Sequence, residues 1–575
     1  MSPQSRLPYG QKQVSATKKN RDALAIIQKS LTTGFALHQQ GKLDEAQSYY
    51  ETVLSAAPKN FDALHLLGVI AHQRQNHAAA MELLNRAIQQ NPRSALAHLN
   101  RGNTVKAMGD IQRAIIDFEN AIAMNPGYAE AYVNLGIARQ ECRQPDEALN
   151  CYRKAIHLKP DFAEAYFAMG NALQEYGQID AAIVSLQEAT RLAPGFAAAY
   201  CNLGNLLKER GRFDEAVAVY TQAIRAQPDF AVAYCNLGNT QKEKQQFELA
   251  IASYIQATTL NPDFAEAHWN RSLVHLLLGD FESAWPLFEW RWKAKKNNIS
   301  LPDFQRPLWL GDHAITGKTI LICWEQGFGD TIQFCRYVPL VQAIGTKVLL
   351  VVPPSLVPLL KSLDGVDQVL GPDEPISDFD YYCPLMSLPL AFRTTLQTIP
   401  APKAYLHTDE DKSRCWAGKL SPTGRKRVGI AWSGSATNKR RSVPLEELIF
   451  HLPKHLDYVC LQKDVTALER DILSQAKIYC FDEHIADFSD TAALCALTDM
   501  VISIDTSAAH LAGALGKQTW VLLPHLPDWR WLLERADCPW YPSMRLYRQD
   551  EMGDWGPVLR RVAQDLTELF PANRG

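Results

Sequence analysis

Proline recurs every 34 residues through the first half of the chain, at Pro58, Pro92, Pro126, Pro160, Pro194, Pro228 and Pro262. Glycine keeps the same interval at Gly34, Gly68, Gly102, Gly136, Gly170, Gly204 and Gly238, and alanine keeps it from Ala46 and Ala80 on to Ala284. Three columns held in one register describe a structural unit repeated end to end. Proline has no N–H and disfavours helix in the residue before it, so it closes a helix. The Gly and Ala columns mark places where two helices cross too closely for a larger side chain. A bulky column (Tyr50, Leu84, Phe118, Tyr152, Leu186, Tyr220, Tyr254, Phe288) is expected to fill the gap between one helix pair and the next. Each unit reads as helix–turn–helix, stacked into an all-α solenoid.

The period and its columns resemble the tetratricopeptide repeat (TPR). Seven full repeats run from about Ile27. An eighth, from Ala265 to about Trp292, keeps Ala284 but has Ser272 in the glycine column and no closing proline, and reads as a cap. The expected organisation is a disordered tail over 1–26, a solenoid over 27–296 and a connector over 297–317. Asn100, Asn134, Asn202, Asn236 and Asn270 share one repeat position, with Asn103, Asn171, Asn205 and Asn239 three residues later on the same helix face. Such amides can hydrogen-bond the backbone of an extended peptide, or they can bond neighbouring helices in the stack. Runs such as AEAYVNLG and AAAYCNLGN are similar to the repeats of the O-GlcNAc transferase family, where such a ladder lines the inside of the superhelix. That resemblance makes the five asparagines acceptor-peptide-binding residues.

Beyond Lys296 the period stops, and short runs apolar on both faces alternate with helical segments: Thr319–Trp324, Lys347–Val352, Asp380–Cys383, Arg427–Trp432, Tyr458–Gln462, Met500–Ile504 and Gln518–Leu523. These are buried parallel strands, and the alternation implies doubly wound α/β units. A stretch rich in Pro, Lys and Ser, 400–427, joins two Rossmann-like halves, 318–410 and 411–575, with ligand sites at the carboxyl ends of the strands.

Three strand-to-helix loops carry candidate chemistry. After the first strand comes Glu325-Gln326-Gly327-Phe328-Gly329-Asp330, where Gly327 and Gly329 let backbone approach a ligand. Asp330 is either a helix N-cap or a carboxylate placed as general base. Ser433-Gly434-Ser435 leads into Asn438-Lys439-Arg440-Arg441, suited to cradling a diphosphate with Lys439 or Arg440, or to a solvated basic turn. In the third, Asp505, Thr506 and Ser507 open a helix and present N–H groups to phosphate, with His510 one turn later able to donate to the same anion. No G-x-S-x-G elbow surrounds Ser507, which disfavours a hydrolase. Two lookalikes fail. GDHAITGKT has five residues between its glycines where a P-loop has four, and it precedes a strand. Asp378-Phe379-Asp380 has the D-x-D form but lies at the start of a strand.

Taken in order, ILICWEQGFGDTIQFCRYVPLV, GIAWSGSATNKRRSVPLEEL and SIDTSAAHLAGALGKQTWVLLP resemble segments of the ADP-heptose lipopolysaccharide heptosyltransferases over roughly 318–550, with W-S-G standing where that family has H-P-G. The resemblance implies a GT-B fold and inverting, metal-independent transfer from a nucleotide sugar with no separate cofactor. It makes Asp330 the base, Lys439 or Arg440 the diphosphate ligand, and Asp505, Thr506, Ser507 and His510 the nucleotide site. Peptide-binding repeats fused to such a domain resemble O-GlcNAc transferase and bacterial flagellin glycosyltransferases in plan. The expectation is a protein O-glycosyltransferase whose repeats hold the acceptor. A glycan or lipid acceptor, or an adaptor with an inactive transferase domain, are the alternatives. A homodimer is compatible with the repeats.

Composition narrows the setting. A net charge of −3 argues against nucleic acid as partner, and no apolar stretch is long enough to span a bilayer. The polar N-terminus has no apolar core of a secretory signal, and twelve cysteines show no CxxC and no spacing suited to zinc or to a disulfide framework. A reducing cytoplasm is the expected home.

Overall fold

The computed structural model describes residues 18–295, 299–434 and 441–572. The chain divides into two compact units, the first ending at Phe230 and the second beginning at Ala231. The second therefore takes in the last two repeats together with the α/β part, and the seam expected near 296 falls inside it.

The repeats are eight helix pairs, from Lys18–Gln39 with Leu43–Ala56 to Ala265–Leu277 with Phe281–Phe288. The first helix starts at Lys18, so 18–26 is helical rather than tail; Arg21 to Gln28 contains no Gly or Pro to stop it. The residue before each repeat proline is extended, as proline demands: Ala57 has φ −142° and ψ 80°, and Lys159 has φ −140° and ψ 87°. The bulky column has a second role: from Tyr50 to Tyr254, each member covers the glycine of its own pair. A Cβ on Gly136 would lie 2.6 Å from Tyr152, and one on Gly204 would lie 2.6 Å from Tyr220. The missing side chain is the seat of the ring. In the eighth pair Ser272 replaces the glycine, fully buried, with its hydroxyl donating to Trp269 O at 2.6 Å.

The α/β part holds two parallel sheets. The first contains β1 (Thr319–Cys323), β2 (Lys347–Val351), β3 (Gln368–Leu370) and β4 (Tyr381–Pro384) in the order β3-β2-β1-β4. The second contains β5 (Arg427–Ala431), β6 (Asp457–Cys460), β7 (Met500–Ile504), β8 (Thr519–Leu523) and β9 (Met544–Arg548) in the order β6-β5-β7-β8-β9. All pairings are parallel. The strand order reverses beside β1 in the first sheet and between β5 and β7 in the second, and such switch points open a crevice at the carboxyl ends. One core runs from the last repeats through the first sheet to the inner face of the second, while Val428, Ile430, Ile502 and Leu522 form a separate core with the helix Gly556–Leu569. Asp380 is structural: its carboxylate accepts from Thr319 N at 2.9 Å, at the amino end of the first sheet.

The glycine column generates a test. Tyr220 is fully buried and its hydroxyl donates to Asn205 Oδ1 at 2.7 Å, so the ring cannot retreat. Gly204→Val should lower stability by about 1–3 kcal/mol through overpacking. Gly195→Ala, with nothing within 4 Å of the added carbon, should leave the thermal midpoint unchanged. Thermal melting of the two variants by circular dichroism checks the contrast.

Candidate functional site

The loops that leave β1, β5 and β7 meet at the carboxyl ends of the two sheets. The short helix Phe328–Phe334 follows β1, and the helix Ser507–Ala514 follows β7. They pack directly: a Cβ on Gly329 would lie 2.8 Å from His510 Cδ2, so Gly329 is what lets the two loops touch. Gly327, not Asp330, is the N-cap of the first helix. Asp330 is its third residue, and its Oδ2 accepts from Gly327 N at 2.8 Å. Its Oδ1 accepts from Arg530, a residue of the segment after β8.

Arg530 holds the site together. Its guanidinium also donates to Asp528 Oδ1 at 2.8 Å and lies 4.4 Å from the Trp529 ring centroid. The loop that carries it is pinned by aromatic packing: Trp529 meets Trp285 at 5.7 Å and Phe334 at 6.2 Å between centroids. Trp285 Nε1 in turn donates to Thr394 O at 2.9 Å. Burial holds the Asp330 carboxyl above the usual carboxylate range, against the pull of Arg530 and with a push from Asp528.

Asp505 sits beside this pair. Its carboxylate is 3.9 Å from Arg441 and 3.8 Å from His510 Nε2. Burial first, then the Asp528 charge, push it up to about 6, with Arg441 and Arg530 opposing. His510 is buried and kept neutral, first by burial and then by Arg530, Arg336 and Arg441. Its Nδ1 lies 3.0 Å from Tyr541 Oη, and its ring stacks on Trp531 at 5.3 Å. Thr506 is the N-cap, but its hydroxyl meets Ser503 Oγ at 3.1 Å instead of capping; Ser507 is the first helical residue.

The loop after β5 differs from the expected phosphate cradle at Ser433. Its N–H donates to Gln462 Oε1 at 3.0 Å and its hydroxyl accepts from Gln462 Nε2 at 2.7 Å, because β6 ends beside β5 and delivers Gln462 there. Gly434 is the floor for Arg441: a Cβ on it would lie 2.6 Å from Arg441 Nε. Lys439 and Arg440 lie outside the described residues. Arg441 and Arg530 each keep a buried Nε with no hydrogen-bond partner among the described residues.

Asp330, Gly329, Asp505 and His510 thus come together as the sequence grouped them. Arg441, Arg530, Asp528 and Tyr541 join them unforeseen. Arg441 closes the basic run that begins at Lys439. Arg530 was signalled only by a charged pair in an otherwise aromatic segment, PDWRW.

The asparagines bond one another across neighbouring pairs. Asn134 donates to Asn103 Oδ1 at 2.9 Å, Asn202 to Asn171 Oδ1 at 2.8 Å and Asn270 to Asn239 Oδ1 at 3.0 Å. Asn100 meets His65 Nε2 at 2.7 Å, and Asn236 is engaged as well.

Models of the tetratricopeptide repeat match 34–95, 95–128, 118–150, 144–177, 163–196, 204–245 and 238–279. The repeats therefore cover the N-terminal part up to about residue 280 and mark it as protein-binding. Protein FlbA of Caulobacter vibrioides is 27% identical over 329 residues, 52% of this chain and 54% of FlbA, so the chain spans about half the length of that curated relative. Among solved structures, MamA is 27% identical over 29% of this chain and 96% of its own, with TM-score 0.27. YrrB, a TPR protein with an unusual peptide-binding site, is 24% identical over 32% of this chain and 95% of its own, with TM-score 0.28. Among the described residues no helix is long and apolar enough to cross a membrane.

The raised carboxyl at Asp505 predicts a pH effect. Its folded pKa of about 6 stands above the usual carboxylate range, so folding favours the protonated acid. The contribution to stability is greatest below pH 4 and is lost as pH rises through 6. Asp505→Asn should therefore be more stable than the parent at pH 7.5, by roughly 1–3 kcal/mol, with the difference shrinking towards pH 4.5. Urea unfolding at the two pH values measures it.

Proposed function

We propose that the α/β part is an inverting, metal-independent glycosyltransferase of the GT-B type. In this reading it moves a sugar from a nucleotide-sugar donor to a Ser or Thr of a protein held by the repeats. The observation that carries it is the pairing of two guanidinium groups with two carboxylates, Arg441 with Asp505 and Arg530 with Asp330, at the carboxyl ends of both sheets. A diphosphate is matched by arginines, which bind phosphate oxygens in pairs and stay charged when buried. Both arginines retain a buried Nε without an acceptor among the described residues. Lys439 and Arg440 add charge next to Arg441 in the sequence.

The chemistry balances without a further reactant. Asp330 takes the proton of the acceptor hydroxyl as its oxygen attacks the anomeric carbon from the face opposite the diphosphate. The bond between that carbon and the diphosphate oxygen breaks, and its electron pair leaves on the diphosphate, stabilised by the arginines. A carboxyl raised by burial is the better base near neutral pH. Asp505 and neutral His510 would hold the nucleoside end, with Thr506 and Ser507 supplying the helix entry. Asn134, Asn202 and Asn270 each use one N–H within the stack, and an amide has two N–H groups, so these side chains keep a donor for an acceptor backbone. Protein acceptance also accounts for so long a repeat array: it raises the effective concentration of the target segment.

A second reading draws on the same carboxylate. Both oxygens of Asp330 are already engaged, by Gly327 N–H and by Arg530, as in a structural cap. In that reading the chain is a protein-binding adaptor with no transfer.

Thermal shift of the full chain against UDP-, GDP-, ADP-, CMP- and dTDP-sugars separates the two. A selective rise with one nucleotide, lost in Arg441→Ala and Arg530→Ala, supports the transferase. Asp330→Asn should keep that shift while lowering transfer from the selected donor by about 10²–10⁴-fold. A folded chain that shifts with none of them sinks the transferase reading.

A further inference from the structure

The inner helices Ala129–Glu141 and Ala163–Glu175 enclose a groove of about 880 Å³, closed on one side by Phe196 at the entry to the next pair. Its floor is aromatic, with the Phe167 and Phe196 rings 4.7 Å apart and tilted by 46°. Asn134 and Asn171, members of the amide ladder, lie in its wall. Its rim is anionic. Lys159 is the single cation among its lining residues; it is 3.6 Å from Glu130 and lies over the Phe162 ring, so its charge is already answered. Glu141 is 3.6 Å from Lys106. Glu164 and Glu175 have no ion pair among the described residues.

Two features make this more than a set of surface acids. Glu141 and Glu175 are the last residues of their helices, where exposed carbonyls add negative potential and a carboxylate is disfavoured until a cation arrives. The Glu175 carboxylate is also fixed in place across two helix pairs. Tyr152 Oη donates to Gln140 Oε1 at 3.0 Å, and Gln140 Nε2 donates to Glu175. An oriented carboxylate stands beside an aromatic floor and beside amides that can meet a peptide backbone.

We propose that this groove selects an extended peptide segment carrying a lysine or arginine next to a bulky apolar residue. The amides would bind backbone irrespective of sequence, the aromatic floor would take the apolar side chain, and Glu175 would take the cation, with Glu164, about 16 Å away along the same helix, adding to the anionic field of the rim. This rests on the repeats as the acceptor-binding surface and not on the transfer chemistry.

The test uses the full chain and a fluorescein-labelled ten-residue peptide of Gly, Ser and Thr with a central Lys-Leu pair. Two companions carry Glu for Lys and Ser for Leu. Anisotropy should show the parent peptide binding, the Glu companion weaker by about tenfold or more, and the parent weakened by salt. Phe167→Ala should remove the preference for Leu over Ser. Glu164→Gln with Glu175→Gln should remove the preference for Lys over Glu. Glu164→Gln alone lies outside the Tyr152–Gln140–Glu175 chain and should reduce that preference without touching the fold, as circular dichroism would verify. Equal binding of the Lys and Glu peptides, an unaltered preference in the double variant, or no binding by any of the three overturns the proposal. The nucleotide-sugar shift, read on the same sample, makes failure of the groove and failure of the transferase separate results.

Discussion

A guanidinium group only 7% exposed has to find its counter-charges inside the fold, and at Arg530 it finds them on two different elements. Asp528 lies two residues away on the same loop, while Asp330 belongs to the helix after β1. The ion pair therefore ties the carboxyl end of the first sheet to a loop of the second. Removing one partner of a buried pair is worth about 3–5 kcal/mol, more than removing both. The aromatic packing of Trp529 on Trp285 and Phe334 sets where the loop runs, and the charges set where it stops.

The same logic appears at the junction between the last repeats and the first sheet. Arg291 is fully buried. It reaches Glu289 and Glu325 at 2.6 Å each and Ser387 Oγ at 2.7 Å. Glu325 also accepts from Met386 N at 2.9 Å, and it lies two residues before Gly327. A residue just beyond the eighth helix pair thus holds the loops after β1 and β4 at once. This explains why the last repeats share a compact unit with the α/β part instead of forming a separable array.

Periodicity made the repeats legible down to the individual residue, because each column has one steric reason to exist. Spacing shows that Gly136 and Tyr152 recur together, but not that the ring lies on the glycine of its own pair. Seven strands were legible because they are apolar on both faces. Two were missed, and both are edges. β3 has three residues, and β9 reads Met-Arg-Leu-Tyr-Arg, with Arg545 exposed. An edge strand buried on one side loses the continuous apolar signal of a central one. Asp330, Asp505 and His510 were found because they follow strands directly. Arg530 was not, because a buried ion pair between residues 200 positions apart leaves no local pattern.

Charge balance connects the site to its loops. With all carboxylates ionised, Asp330, Asp505 and Asp528 are matched by Arg441, Arg530 and Arg336, and neutral His510 adds nothing. A diphosphate entering that arrangement would meet no surplus of positive charge and would be repelled by the carboxylates. Two features lessen the repulsion. The Asp505 carboxyl, at about 6, accepts a proton readily when another anion approaches. In the proposed reading Lys439 and Arg440, within two residues of Arg441 in the sequence, would add two further positive charges. In the proposed reading the basic run is therefore part of the charge inventory that lets a carboxylate base and an anionic leaving group occupy one site.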